Sequence, residues 1–105
     1  MGEARPLKLR YTPRAGAELD TVLTQIAQRS PHGARRVQAR IQAVIARLAQ
    51  YPESGQRTSH PRLRRIVVVP FPYLVFYEVT DEEIIIHAVR HGARDPGSMP
   101  GRERS

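Results

Sequence analysis

Leu63-Arg64-Arg65-Ile66-Val67-Val68-Val69, Tyr73-Leu74-Val75-Phe76-Tyr77-Glu78-Val79 and Glu83-Ile84-Ile85-Ile86-His87-Ala88-Val89-Arg90 form three runs separated only by Pro70-Phe71-Pro72 and Thr80-Asp81-Glu82. All three are rich in Val, Ile, Tyr and Phe, side chains that suit a pleated surface. Connectors this short leave neighbouring strands no choice but to run antiparallel, because a parallel return needs a crossover of a dozen residues or more. The runs therefore predict a three-stranded antiparallel meander.

Upstream, the period of the pattern changes. Leu19, Val22, Leu23 and Ile26 recur at i, i+3, i+4 and i+7, the apolar stripe of an amphipathic helix. Thr12-Pro13 supplies its start, with the threonine as N-cap and the proline in the first turn. Ser30-Pro31 repeats that signal, and Val37, Ile41, Val44, Ile45 and Leu48 carry a second stripe as far as Tyr51-Pro52, where the proline stops the helix. Two helices joined so closely pack as a hairpin. Before them, Leu7-Lys8-Leu9-Arg10-Tyr11 alternates apolar and basic residues, as a half-buried strand does. Residues 53–61 read as a polar loop. The order is β-α-α-β-β-β, an α+β fold whose antiparallel sheet is covered on one face by the helical hairpin. Residues 1–95 form one domain, and residues 96–105, with Pro96, Gly97, Pro100 and Gly101, read as a flexible tail.

Composition narrows the function. The chain has 105 residues, 17 Lys plus Arg against 10 Asp plus Glu, and a net charge of +7. Lys8 is its only lysine. Such a charge raises association rates with nucleic acids and with acidic protein surfaces without choosing between them, and arginine suits bidentate contact with phosphate or carboxylate. With no cysteine there is no disulfide framework and no thiolate metal site. No apolar run approaches the roughly 20 residues of a membrane span, and Met1 to Pro6 lack the apolar stretch of a secretory signal. Cytoplasmic residence without a cofactor or metal is expected.

No nucleophile–base pair, Gly-rich phosphate loop or metal-binding spacing is present. Asp81, Glu82 and Glu83 fall in a hairpin turn, where acids are ordinary, and His87 lies inside a strand, where a packed, satisfied histidine is expected. The informative cluster is cationic. Arg62, Arg64 and Arg65 open one strand, and Arg90, His91 and Arg94 close another. By strand polarity these groups lie at opposite ends of the sheet, and alternation puts Arg64 and Arg65 on opposite faces. They either bind a partner or simply solvate strand ends. Arg29, Arg35, Arg36, Arg40 and Arg47 line the helix backs, as a solvated face or a docking surface.

The chain resembles the RelE/ParE superfamily of bacterial toxins over residues 7–95. The resemblance rests on Tyr11-Thr12-Pro13-Arg14-Ala15, Arg47-Leu48 with Tyr51-Pro52 and Ser54-Gly55, Pro72-Tyr73-Leu74-Val75-Phe76-Tyr77, and Val89-Arg90-His91-Gly92-Ala93-Arg94-Asp95, in that order and spacing. RelE-like toxins cut messenger RNA on the ribosome with a cluster of basic residues and, in many members, a C-terminal tyrosine. ParE-like toxins bind and poison DNA gyrase. This sequence has Leu74 where the RelE pattern has a transition-state arginine. It lacks that pattern's lysines and has no tyrosine beyond Asp95; only Arg94 stands where the other family arginine does. The resemblance thus implies a ParE-like toxin that inhibits DNA gyrase by binding and is silenced by an acidic antitoxin. DNA is then contacted only indirectly, through the antitoxin complex. The expected binding residues are Arg64, Arg65, Arg90, His91 and Arg94. The alternative is a metal-independent, ribosome-dependent endoribonuclease acting on messenger RNA, with Arg94 and His91 as its chemical groups.

Overall fold

The computed structural model describes residues 7–92. Its elements follow the order β1 (Lys8–Tyr11), α1 (Pro13–Arg29), α2 (Pro31–Leu48), β2 (Gln56–Arg57), β3 (Arg64–Val67), β4 (Tyr73–Val79) and β5 (Glu83–His91). Local chemistry sets the helix ends. The Thr12 hydroxyl accepts from the Ala15 N–H at 3.0 Å, and Ser30 Oγ accepts from the Gly33 N–H at 2.9 Å, with proline opening each helix. Ser30 also donates its own N–H to the Ile26 carbonyl, so one residue closes α1 and caps α2. The second helix stops at Leu48, with Ala49 as C-cap, three residues before Tyr51-Pro52.

The sheet order is β1-β5-β4-β3-β2. The meander β3-β4-β5 is antiparallel, as the short connectors require. Two features depart from the sequence reading. The sheet is mixed, because β1 pairs in parallel with β5, Lys8 opposite Glu83 through Tyr11 opposite Ile86; the helical hairpin and strands β2 to β4 lie between them, ample chain for a parallel return. The polar stretch after α2 also contributes a two-residue strand, with Gln56 and Arg57 opposite Arg65 and Arg64. A break in the β4–β5 register after Phe76/Tyr77 puts His87 and Ala88 side by side on one face, the signature of a bulge.

Helical and strand stripes meet in one core. Val37, Ile41, Val44, Ile45 and Leu48 from α2 pack with Val75 and Tyr77 of β4 and with Ile84, Ile86 and Val89 of β5. The α1 stripe, Leu19, Val22, Leu23 and Ile26, lies against the same cluster, partly buried. On the other sheet face Phe76, Ala88 and Leu74 make a separate apolar cluster. The flexible tail read for residues 96–105 lies outside the described residues. None of the helices among the described residues is long and apolar enough to cross a membrane.

Candidate binding surfaces

Arg64 and Arg65 separate onto the two sheet faces, as alternation demands. Arg64 lies opposite the buried Tyr77, on the helix side, and its guanidinium donates to the Gly55 carbonyl at 2.9 Å and more weakly to that of Glu53. It fastens the loop after α2 to the sheet. Tyr77 completes that fastening: its hydroxyl donates to the Pro52 carbonyl at 2.8 Å and accepts from the Gly55 N–H at 2.9 Å. A side chain at position 55 would collide with that hydroxyl and with the Arg65 carbonyl 2.7 Å away, so the loop needs glycine there. Arg65 lies opposite Phe76 on the other face, its guanidinium donating to the Gln56 side chain at 3.3 Å.

Arg90 and His91 lie at the far end of β5. Arg90 stands opposite Leu74, and Leu74 is three residues along β4 from Arg64's partner Tyr77. That puts the two arginine positions about 10 Å apart along the strands and two strand spacings apart across them. Two separate cationic groups result. Because β1 ends opposite Ile86, the last residues of β5 present a bare edge to α1. Glu18 of α1 fills it, accepting the Val89 N–H at 2.9 Å and the Arg90 Nε–H at 3.1 Å. Arg14 also pairs with Glu18, one helical turn away, at 3.2 Å. The His91 ring meets Tyr73 edge to face, with centroids 5.3 Å apart.

These contacts frame a groove between α1 and the β5 edge. One part, about 350 Å³, is lined by Ala17, Glu18, Val22, Val89 and Arg90 among others; the next, about 540 Å³, by Val22, Ile26, Arg29, Tyr73 and His91 among others. The smaller part is mainly apolar, the larger is polar with Gln25, Gln28 and Ser30, and Arg14 and Arg29 stand at the two ends. Sequence reasoning found Arg90 and His91 but missed Glu18, whose only local signal is its i, i+4 spacing from Arg14. Arg94 lies outside the described residues. On the back of the sheet His87 is satisfied, its Nε2 2.9 Å from Glu78 Oε1. Of the helix arginines, Arg40 donates to the Val69 carbonyl and Arg47 stacks over Tyr51 at 5.1 Å.

A β-α-α-β-β-β-β chain whose mixed sheet is roofed by two helices, with cationic side chains at both ends of the sheet, is a small basic α+β protein. The chain belongs to the ParE toxin family: residues 9–96 match the family described as the ParE toxin of the type II toxin–antitoxin system parDE. It is 42% identical over 84 residues to Toxin RelE2 of Caulobacter vibrioides, spanning 80% of this chain and 93% of that one. It is also 39% identical over 59 residues to Toxin ParE2 of Mycobacterium tuberculosis, spanning 56% of this chain and 55% of that one. A solved structure from the chromosomal ParDE toxin–antitoxin system of P. aeruginosa shares the fold, with a TM-score of 0.70 at 21% identity over 84% of this chain and 98% of its own. The chain is a type II toxin–antitoxin toxin of the RelE/ParE superfamily.

Proposed function

We propose that this toxin halts growth by binding DNA gyrase rather than by cutting RNA, and that it acts in the cytoplasm. The observation that carries this reading is the environment of Leu74. The RelE pattern places an arginine there, and here the half-buried side chain packs against the buried Phe76 and Ala88 on the sheet face away from the helices. A leucine packed there supplies no charge, whereas stabilising a developing phosphorane needs fixed positive charge. Losing one such charge removes orders of magnitude in rate.

Antitoxin recognition belongs to the groove along α1 and the β5 edge. Val22, Ile26 and Tyr73 offer apolar anchorage, and Arg14, Arg29 and Arg90 offer charge at its rim. An acidic segment with alternating apolar residues satisfies both, steered by charge and held by buried contact. Arg64, Arg65, Arg90, His91 and Arg94 remain the residues proposed for target or antitoxin contact.

Purified protein, assayed on gyrase supercoiling at concentrations that stop growth, tests the reading. Inhibition without RNA scission supports it. Untouched supercoiling would overturn it, and messenger ends mapping to the ribosomal A site that vanish in Arg94→Ala would establish the endoribonuclease instead.

A further inference from the structure

The loop from β2 to β3 forms a rigid cationic ridge with a cleft on either side. Thr58 takes the His60 N–H on its hydroxyl at 3.1 Å and closes the loop by donating to the Leu63 carbonyl at 3.0 Å. The Arg62 N–H donates to His60 Nδ1 at 3.1 Å. That bond makes Nδ1 an acceptor, so the ring proton sits on Nε2, the nitrogen left for an outside partner. Leu63 is buried, while His60, Pro61 and Arg62 are exposed on the crest.

The two clefts share His60, Arg62, Leu63 and Glu78. One, about 320 Å³, continues to Arg57 and Arg64; the other, about 470 Å³, reaches Thr12, Arg14 and His87. The single carboxylate in this lining, Glu78, is engaged by His87. Arginines outnumber that carboxylate on the side of the cleft with Arg57, Arg62 and Arg64, so the ridge and that flank carry net positive charge. None of it comes from the groove along α1 and the β5 edge.

We propose that this ridge contacts the phosphodiester backbone of a nucleic-acid duplex, with His60 and Arg62 on the crest and Arg57 on the flank. Guanidinium forks and an imidazole N–H match phosphate oxygens. The lining residues described include no Phe or Tyr on which an unpaired base could stack, which disfavours single strands. The crest carries His60 and Arg62 on either side of Pro61, and the cleft that continues to Arg57 and Arg64 is mainly polar, which suits phosphate better than an apolar anchor. Backbone contact of this kind fixes orientation without reading sequence. The inference goes beyond the family expectation of contact with DNA only through the antitoxin complex, and it stands whether the toxin's target is gyrase or the ribosome.

The test is fluorescence anisotropy of the full chain with a labelled duplex DNA of arbitrary sequence, titrated over a range of salt concentrations. Binding should weaken linearly in log–log form as salt rises. Arg57→Gln and Arg62→Gln should each lower the slope by about one and weaken every duplex alike. Arg35→Gln, on the exposed back of α2, should leave the slope unchanged. All three side chains are exposed, so thermal melts should match the parent and exclude misfolding as a cause. No binding at low salt, an equal loss in Arg35→Gln, tighter binding to single strands, or displacement by polyglutamate as effective as by duplex would each overturn the proposal.

Discussion

Glu18 and Val89, seventy-one positions apart, share a 2.9 Å hydrogen bond in which a helix carboxylate takes the N–H of a strand edge. The contact stands where β1 has run out, and the same carboxylate holds Arg90. Glu18→Ala therefore removes the acceptor of one strand-edge N–H and the partner of a largely buried guanidinium. The expected loss is about 1–3 kcal/mol, read as a lower urea midpoint. Glu18→Gln keeps an oxygen for Val89 and should lose less than half as much. Equal losses in the two variants would mean that the charge, and not the edge acceptor, does the stabilising.

Tyr77→Phe tests the fastening of the loop after α2. The phenol bridges the Pro52 carbonyl and the Gly55 N–H, and its removal strands a buried donor. A cost of about 1–3 kcal/mol is expected, with Tm falling roughly 4–8 °C for each kcal/mol in a domain of this size. Gly55→Ala should be at least as damaging, because its methyl meets both that hydroxyl and the Arg65 backbone. A Tm unchanged in both variants would show that the loop is not held by this bridge.

Alkaline pH should destabilise the protein through its buried phenols. Burial pushes the Tyr11 and Tyr77 hydroxyls above the ordinary value of 10.0; at Tyr77 the Gly55 hydrogen bond and Arg64 work in the opposite direction. Between 10.0 and the raised native values the unfolded chain has released protons that the native state still holds. Unfolding then releases protons, so stability is intact below pH 10 and falls as pH climbs through that window. Urea midpoints across the range measure the fall, and absorbance at high pH should show Tyr11 and Tyr77 ionising above 10.0. Ionisation of these two at 10.0 or below would contradict it.

Neighbouring arginines should separate structure from recognition. Arg64→Met and Arg65→Met both keep an unbranched stem, but only Arg64 ties down loop carbonyls. About 1–2 kcal/mol should be lost at position 64 and no more than about 0.5 at position 65. If Arg65 meets the target, Arg65→Met should weaken growth arrest at unchanged stability. Equal melting of the two variants would refute the division of roles.

What could be read from the residues alone was whatever local chemistry decides. Thr12-Pro13 and Ser30-Pro31 mark helix starts because capping acts within three residues, and the meander follows from connectors too short for anything else. The parallel pairing of β1 with β5 joins residues 75 positions apart, Lys8 to Glu83, and nothing near either strand announces it. The strand Gln56–Arg57 is too short to show a period of two. At the candidate sites, alternation did assign Arg64 and Arg65 to opposite faces, whereas Arg90's partner on α1 and the ridge carrying His60 depend on distant packing. Arg62 appeared in the sequence as one of three strand-opening cations; only the loop's hydrogen bonds distinguish it from Arg64.

Ala17→Glu should separate antitoxin binding from toxicity. Ala17 is exposed on α1 and lines the groove with Val22 and Val89, so a longer side chain there fills the space without touching the core. Glutamate keeps good helix propensity, and the fold should survive within about 0.5 kcal/mol. Its carboxylate lies one residue from Glu18 and would face an acidic antitoxin segment, where like charge and lost apolar contact together should weaken binding by about 10–100-fold, roughly 1.4–2.8 kcal/mol. Calorimetric titration with the cognate antitoxin measures that loss directly. In cells the variant should remain toxic and escape neutralisation, whereas a variant still silenced at wild-type antitoxin levels would place the antitoxin elsewhere on the molecule.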